Sequence, residues 1–391
     1  MSDELTKIVE AFDRGKLTRR QLLYGLGLGA GLAALPTRAS VLAQGQCGGA
    51  RAGSPECDTT PAKPPFEATG WKTVRLNHFA IQAADYGKEA AYYAALMNWK
   101  VRSDDGKQAI LDIGDWGGAI IRGGYEAPPA PPTPATPPPD AAAGGGQRAG
   151  GGGRGGPRTP RLVQVESFSW GITPWDTKHV ESELKKRGIQ ATPLDDKTMP
   201  GFRIKDPGGF TCAITDGRVN PRAKAPNGKL TAPPPFEPTD WKTVWLDHVS
   251  FEVPNYKESV AFYQALLGWA PTQDEGSQNF VDAGDVGGLI IRRGAGGGGG
   301  RRGADGSTVT PAVMLPPRPA GIGHIAFGIT PWDPDKVKEA LDKRGLNARV
   351  DTGNHGDIHG AVYQSYHTTT PNGFDLQISF TTQANRHAGI A

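Results

Sequence analysis

Apolar and polar residues alternate with a period of two along Trp241 to Val253 (WKTVWLDHVSFEV), the pattern of a strand with one buried face. Val249, Phe251 and Val253 fall on the apolar face, and His248, Ser250 and Glu252 fall on the other. The same pattern occurs 170 residues earlier, from Trp71 to Ala83 (WKTVRLNHFAIQA). The match continues through an aromatic pair, a Leu-x-x-Trp step and a Gly-Asp-x-Gly-Gly-x-Ile-Ile-Arg segment. The chain is therefore a tandem repeat, and each copy carries a histidine on the polar side of its first strand.

The periodicity predicts the other elements in order. In the first copy it gives a strand over 74–81, a helix over 88–97 with Ala91, Tyr92, Ala95 and Leu96 as its stripe, and strands over 109–113 and 119–121. A strand over 162–172 follows, then a helix capped by Asp176 and stopped at Gly188, then a strand pair between 201 and 214. The second copy repeats the order, with strands over 244–253, 279–283 and 288–292 and a helix over 258–267. It continues with a strand over 322–329, a helix with Asp333 as N-cap and Pro334 at its first position, and closing strands over 361–366 and 374–380. Each half reads as two strand-helix-strand-strand-strand modules, an α+β pattern.

Composition sharpens the domain limits. With 37% hydrophobic and 21% charged residues the chain supports two ordinary cores, while its 55 glycines and 34 prolines cluster in tracts that cannot bury a core. Those tracts place one insert at 126–160, a second at 294–318 and a linker at 218–240, between domains at 71–217 and 241–382; an arm at 44–70 and a tail at 383–391 flank them. A net charge of +3 without a basic face gives no basis for a nucleic-acid partner. At the start, Arg19-Arg20 precedes a 14-residue apolar run, Leu22 to Leu35, and Val41-Leu42-Ala43 offers a cleavage site. Residues 1–43 thus resemble a twin-arginine signal peptide, which implies export of a folded chain to a periplasmic or extracellular location. The run is too short for the roughly 20 residues a membrane helix needs, so no stable membrane insertion is expected after cleavage. Cys47 and Cys57 could pair in an oxidising compartment, and Cys212 falls in a predicted strand as a buried thiol.

Four steps in the second half carry a family resemblance: Leu246-Asp247-His248-Val249, Phe262-Tyr263-x-x-Leu266-Leu267-Gly268-Trp269, Gly323-His324-Ile325-Ala326-Phe327 and Pro371-Asn372-Gly373-Phe374-Asp375-Leu376-Gln377. They resemble the vicinal oxygen chelate superfamily, which includes glyoxalase I, extradiol ring-cleaving dioxygenases and bleomycin-resistance proteins. The resemblance implies two tandem domains, each of paired βαβββ modules curled into an open cup. It also implies a divalent metal in the second cup, held by His248, His324 and Gln377, the last standing where the family usually has glutamate. Fe2+ or Mn2+ is favoured, and Zn2+ would also fit. The first half keeps His78 but has Ser167 and Ala213 at the other two positions, so it is expected to be structural.

The segment Asn354 to Gln377 adds three histidines and two tyrosines before the closing strand. In the extradiol branch this region supplies the groups that handle protons, and the resemblance assigns that role to His359 (or His355), Tyr366 and His367. The implied activity is oxygenative cleavage of a catechol-like small molecule. Alternatives are a glyoxalase-type lyase or isomerase and a non-catalytic protein that binds a small molecule. A homo-oligomer is compatible with each.

Overall fold

A computed structural model describes residues 58–126, 161–196, 199–294, 319–353 and 355–387. The leader, Cys47, Cys57 and most of both inserts lie outside these residues.

In the first half the elements are β1 (Lys72–Ala83), α1 (Tyr86–Leu96), β2 (Lys100–Asp104), β3 (Gln108–Ile113), β4 (Gly117–Arg122), β5 (Val163–Thr173), α2 (Thr177–Lys186), β6 (Ala191–Pro193), β7 (Gly201–Lys205) and β8 (Thr211–Asp216). The second half runs β9 (Lys242–Val253), α3 (Tyr256–Leu267), β10 (Ala270–Asp274), β11 (Gln278–Asp282), β12 (Gly287–Arg293), β13 (Gly321–Thr330), α4 (Pro334–Lys343), β14 (Arg349–Asp351), β15 (Ser365–Thr369) and β16 (Asp375–Ser379), and a short α5 (Gln383–His387) closes the chain. Each half forms one eight-stranded sheet, in the orders β2-β3-β4-β1-β5-β8-β7-β6 and β10-β11-β12-β9-β13-β16-β15-β14. Within a module the first strand pairs parallel with the last, and the two modules meet antiparallel through their first strands. This is the tandem arrangement of open, cup-shaped βαβββ domains.

The periodicity missed β2, β6, β10 and β14. They are the outermost strands of the two sheets, and β10 and β14 bury almost nothing. An edge strand in water needs no apolar row and leaves no period-two signal.

The described residues from Asp58 onward fold as one unit, and one core runs through both halves. Helix α1 contacts the second sheet: Tyr93 stacks on Trp99 at 4.7 Å and Trp99 meets Phe327 edge-on at 5.2 Å. Helix α3 does the same for the first sheet, with Tyr263 stacked on Trp269 at 4.6 Å and Trp269 against Trp170. The polar ties are reciprocal as well. Trp99 Nε1 donates to Thr243 Oγ1 at 3.0 Å, and Trp269 Nε1 donates to Thr73 Oγ1 at 2.8 Å. Equivalent residues of the two repeats thus exchange equivalent contacts, as in a two-fold dimer fused into one chain. The helices bury the apolar face of each sheet, which leaves the other face of each sheet to form a cup. Among the described residues no helix is long and apolar enough to cross a membrane.

Candidate metal centre

The second cup encloses a cavity of about 600 Å³. Its floor follows from strand register. His248 on β9 pairs with Ala326 on β13, Ala326 pairs with Gln377 on β16, and Gln377 pairs with His367 on β15, so these four form one row across the sheet. His324 lies in the adjacent row, between Ser250 and Asp375. Ala326 presents only a methyl group between His248 and Gln377, which keeps the floor low where the polar side chains converge. On the far wall, Phe280 and Ile290 face each other across β11 and β12, with Arg292 one step further along.

The register slips at Asp247, which has no partner of its own on either neighbouring strand. Such a bulge re-aims side chains, and here it places two consecutive residues at one site. Asp247 Oδ1 lies 3.4 Å from His248 Nδ1. Its Oδ2 accepts from Tyr363 Oη at 2.8 Å and from Thr381 Oγ1 at 3.1 Å. Thr381 reaches it because residue 328 is glycine; a Cβ there would coincide with the Thr381 carbonyl. Asp247 is buried. Burial alone would raise its pKa, but the His248 imidazole and the hydroxyl donors outweigh burial and hold the carboxyl at about 2. A carboxylate behind Nδ1 fixes the proton there and leaves Nε2 as the lone-pair nitrogen, the usual support for a metal-binding histidine.

His248 Nε2 and His324 Nε2 face each other at 3.0 Å. Two metal–nitrogen bonds of roughly 2.0–2.1 Å at a right angle would put their nitrogens about 3 Å apart, so this spacing suits a shared ion. Burial, followed by the neighbouring imidazoles of His248 and His367, pulls the His324 pKa down to about 3. It is neutral at neutral pH, as a ligand must be.

Gln377 is 1% exposed, and its amide orientation follows from its neighbours. Tyr363 spends its hydroxyl proton on Asp247, and Ser365 spends its own on the Asp351 carbonyl at 3.0 Å. Both hydroxyls can therefore only accept from Gln377, which donates from Nε2 at 3.0 Å to Tyr363 and 2.7 Å to Ser365. The opposite atom, Oε1, is then an acceptor, and it is buried with no partner. An orphaned buried oxygen is costly unless a cation or donor fills the space before it. Among the described residues no three His, Cys, Asp or Glu side chains converge on one point; Gln377, whose amide oxygen is without a partner, lines the same cavity as the two imidazoles. Two facing imidazoles and a free amide oxygen fit a divalent ion.

His367 also faces the cavity, 5.1 Å from the His324 ring. Its Nδ1 lies 3.1 Å from Asp375 Oδ1 and its Nε2 3.3 Å from Asp351 Oδ2. Burial disfavours its charge, but the bonds to the two carboxylates prevail and carry its pKa up to about 9. Both ring nitrogens are donors, and the group is a fixed imidazolium.

The other two proton-handling candidates are placed elsewhere. Tyr366 is 1% exposed and turns to the opposite side of β15, toward Trp332. Period two decides this: if His367 faces the cup, its neighbour cannot. His359 is exposed, its Nε2 3.4 Å from Asp335 Oδ1 on α4, and His355 bonds the Asp357 carbonyl. Tyr363, by contrast, reaches the cavity, and sequence periodicity contained the signal, since 363, 365 and 367 share a face. The closing strand expected over 361–366 starts at Ser365 instead.

In the first cup His78, Ser167 and Ala213 line a separate cavity of about 480 Å³, at the positions of His248, His324 and Gln377. The bulge is repeated, but Asn77 takes the place of Asp247 and bonds Thr215. At the three matching positions the first cup thus presents one imidazole, a hydroxyl and a methyl group.

Residues 245–378 match the glyoxalase/bleomycin resistance protein/dioxygenase superfamily. Among solved structures, a Mn(II)-bound glyoxalase from Novosphingobium aromaticivorans is similar with a TM-score of 0.50 and 14% identity, over 79% of this chain and 82% of that one. The halotolerant catechol dioxygenase BphC gives 0.50 at 11% identity, over 79% and 87%. At these identities the likeness is one of fold. No curated protein sequence matches the chain. The second half thus carries the superfamily's sequence pattern, and the chain as a whole has the fold of tandem vicinal-oxygen-chelate domains.

Proposed function

We propose that the second cup is the active site of a metal-dependent dioxygenase of the extradiol type, with His248, His324 and Gln377 as ligands to Fe2+ or Mn2+ and a catechol-like small molecule as substrate. The observation that carries this is the partnerless Gln377 oxygen in the same cavity as two facing imidazoles. A bound ion would supply Lewis acidity toward two adjacent substrate oxygens and an electron route to dioxygen. The chain's own residues do the rest. Asp247 and Tyr363 hold His248 and Gln377 in orientation. Phe280 and Ile290 offer an apolar wall for a ring. His367, locked between Asp351 and Asp375, sets a positive charge against developing anionic oxygen instead of accepting a proton.

A glyoxalase-type lyase would draw an acidic fourth ligand from the first module, but the cup-facing residues of β12 are Gly288, Ile290 and Arg292. The reading is tested in an oxygen electrode with Fe(II)-loaded protein and catechol. Oxygen uptake that vanishes in His248→Ala is expected; loaded protein that consumes none with any catechol contradicts it. The twin-arginine leader supports export of the folded chain, and cell fractionation should find a form lacking residues 1–43 outside the cytoplasm, whereas a full-length cytoplasmic chain would refute export.

A further inference from the structure

A second cavity, of about 340 Å³, lies on the reverse side of β11 from the cup. Alternation along the strand divides the two: Gln278 and Phe280 line the cup, while Asn279 between them faces α3 and lines the other cavity. Its apolar walls are Val260 and Ala261 of α3, Pro271 of β10, and Pro61 and Ala62 of the arm that precedes β1. A space of this size takes one small ring compound.

Asn279 is the polar group left open. It is 6% exposed, and its Oδ1 is buried with no hydrogen-bond partner. A buried carbonyl oxygen without a donor is unfavourable unless something fills the space before it. Lys257 and Asp274 are the charged side chains of this lining, and both are satisfied within the protein. Lys257 Nζ donates to Asp58 Oδ2 at 2.6 Å and to the Thr60 carbonyl at 2.9 Å. Asp274 Oδ1 accepts from Tyr256 Oη at 3.0 Å and from the Gly276 amide at 2.8 Å.

The first half is apolar at the same place. Ala109 pairs with Asp104 as Asn279 pairs with Asp274, and Val101 pairs with Leu111 as Pro271 pairs with Val281. Ala109 is fully buried, and Leu230, in the linker that bonds Val101 through Gly228, packs against the core. The arm carries Thr59 and Thr60 at the corresponding point, both exposed. At one location the second half thus has an amide in place of a methyl group and threonine in place of leucine, and the cavity lies there.

We infer that this cavity is a second small-molecule site, for a neutral compound with an apolar body of about one ring and a hydroxyl or amide N–H that donates to Asn279 Oδ1. Neutrality follows from the internal pairing of Lys257 and Asp274, the apolar body from Val260, Ala261 and Pro271, and the donor from Asn279. The site is separate from the metal cup and independent of the reaction proposed there.

The test is a fluorine NMR titration of the metal-free full chain with 4-fluorobenzyl alcohol and with 4-fluorotoluene, which has the ring without the donor. The alcohol should saturate below about 10 mM and bind about five- to tenfold more tightly than the toluene. Asn279→Ala, which installs the residue of the first half, should bring the alcohol to the level of the toluene, and His324→Ala in the cup should leave both affinities unchanged. Three results overturn the inference: no saturable binding of the alcohol, which leaves the cavity to water alone; equal affinities in wild type; or an alcohol preference that survives in Asn279→Ala. Should that variant not fold, the bromine anomalous signal of 4-bromobenzyl alcohol soaked into crystals of the full chain decides by position. A peak between α3 and β11 upholds the site, and a peak only in the cup, or none, removes it.

Discussion

The glutamine at position 377 has a local explanation in its neighbours. The hydroxyl protons of Tyr363 and Ser365 are committed to Asp247 and the Asp351 carbonyl, so both oxygens turn lone pairs toward residue 377. An amide meets them with two N–H donors; a carboxylate would meet them with a lone pair and a charge. Gln377→Glu should therefore destabilise the metal-free chain by about 1–3 kcal/mol, read from urea midpoints, because two buried hydroxyls lose their donor. Unchanged or raised stability would show that the hydroxyls rotate freely and do not select the amide. That these three side chains share the cup was legible in the sequence because each sits opposite an apolar row: Val249 and Phe251 beside His248, Ile325 and Phe327 beside His324, Leu376 and Ile378 beside Gln377. Asp247 was not, because strict alternation would put it on the other face and only the bulge brings it round. Asp351 and Asp375 escaped notice for a different reason: one lies on an edge strand with no pattern, and the other was counted only as part of a motif.

At the level of elements, the helices and central strands were legible because each carries a buried stripe or row, and their caps were legible from Asp176, Asp333 and Pro334. The contacts between elements of different repeats were not. Asp206, in the turn between β7 and β8, is 5% exposed and meets α3 of the other half, accepting from Tyr263 Oη at 3.2 Å and from the Phe210 amide at 2.7 Å. Burial raises its pKa to about 6, against the pull of those donors. The sign of the linkage is fixed by which state ionises first. Below about pH 4 the carboxyl is protonated in both states. Between about pH 4 and 6 the unfolded chain releases the proton and the folded chain keeps it, so this group's contribution to stability falls as pH rises, and above pH 6 the penalty is constant. Asp206→Asn should remove that fall: wild type should lose on the order of 1–3 kcal/mol relative to the variant between pH 4 and 6.5 in urea melts. Parallel curves for the two proteins would show that Asp206 ionises normally inside the fold.

Across the whole molecule, the chain is a fused pseudo-dimer in which both halves keep the fold and the second alone carries the proposed ligand set. Trp99 to Thr243 and Trp269 to Thr73 are the same contact made twice, and the core they cap is continuous. The cups differ at four matching positions: Asn77 for Asp247, Ser167 for His324, Ala213 for Gln377 and Arg203 for His367. The first half packs against the second through the shared core, and the proposal places one metal site per chain. Metal content by elemental analysis, on full chain folded in the cytoplasm and purified without chelator, tests this most directly. One equivalent of iron or manganese per chain, lost in His324→Ala and retained in His78→Ala, is the expected result. Two equivalents, an ion retained in His324→Ala, or a folded chain with no metal in any of the three proteins would contradict it.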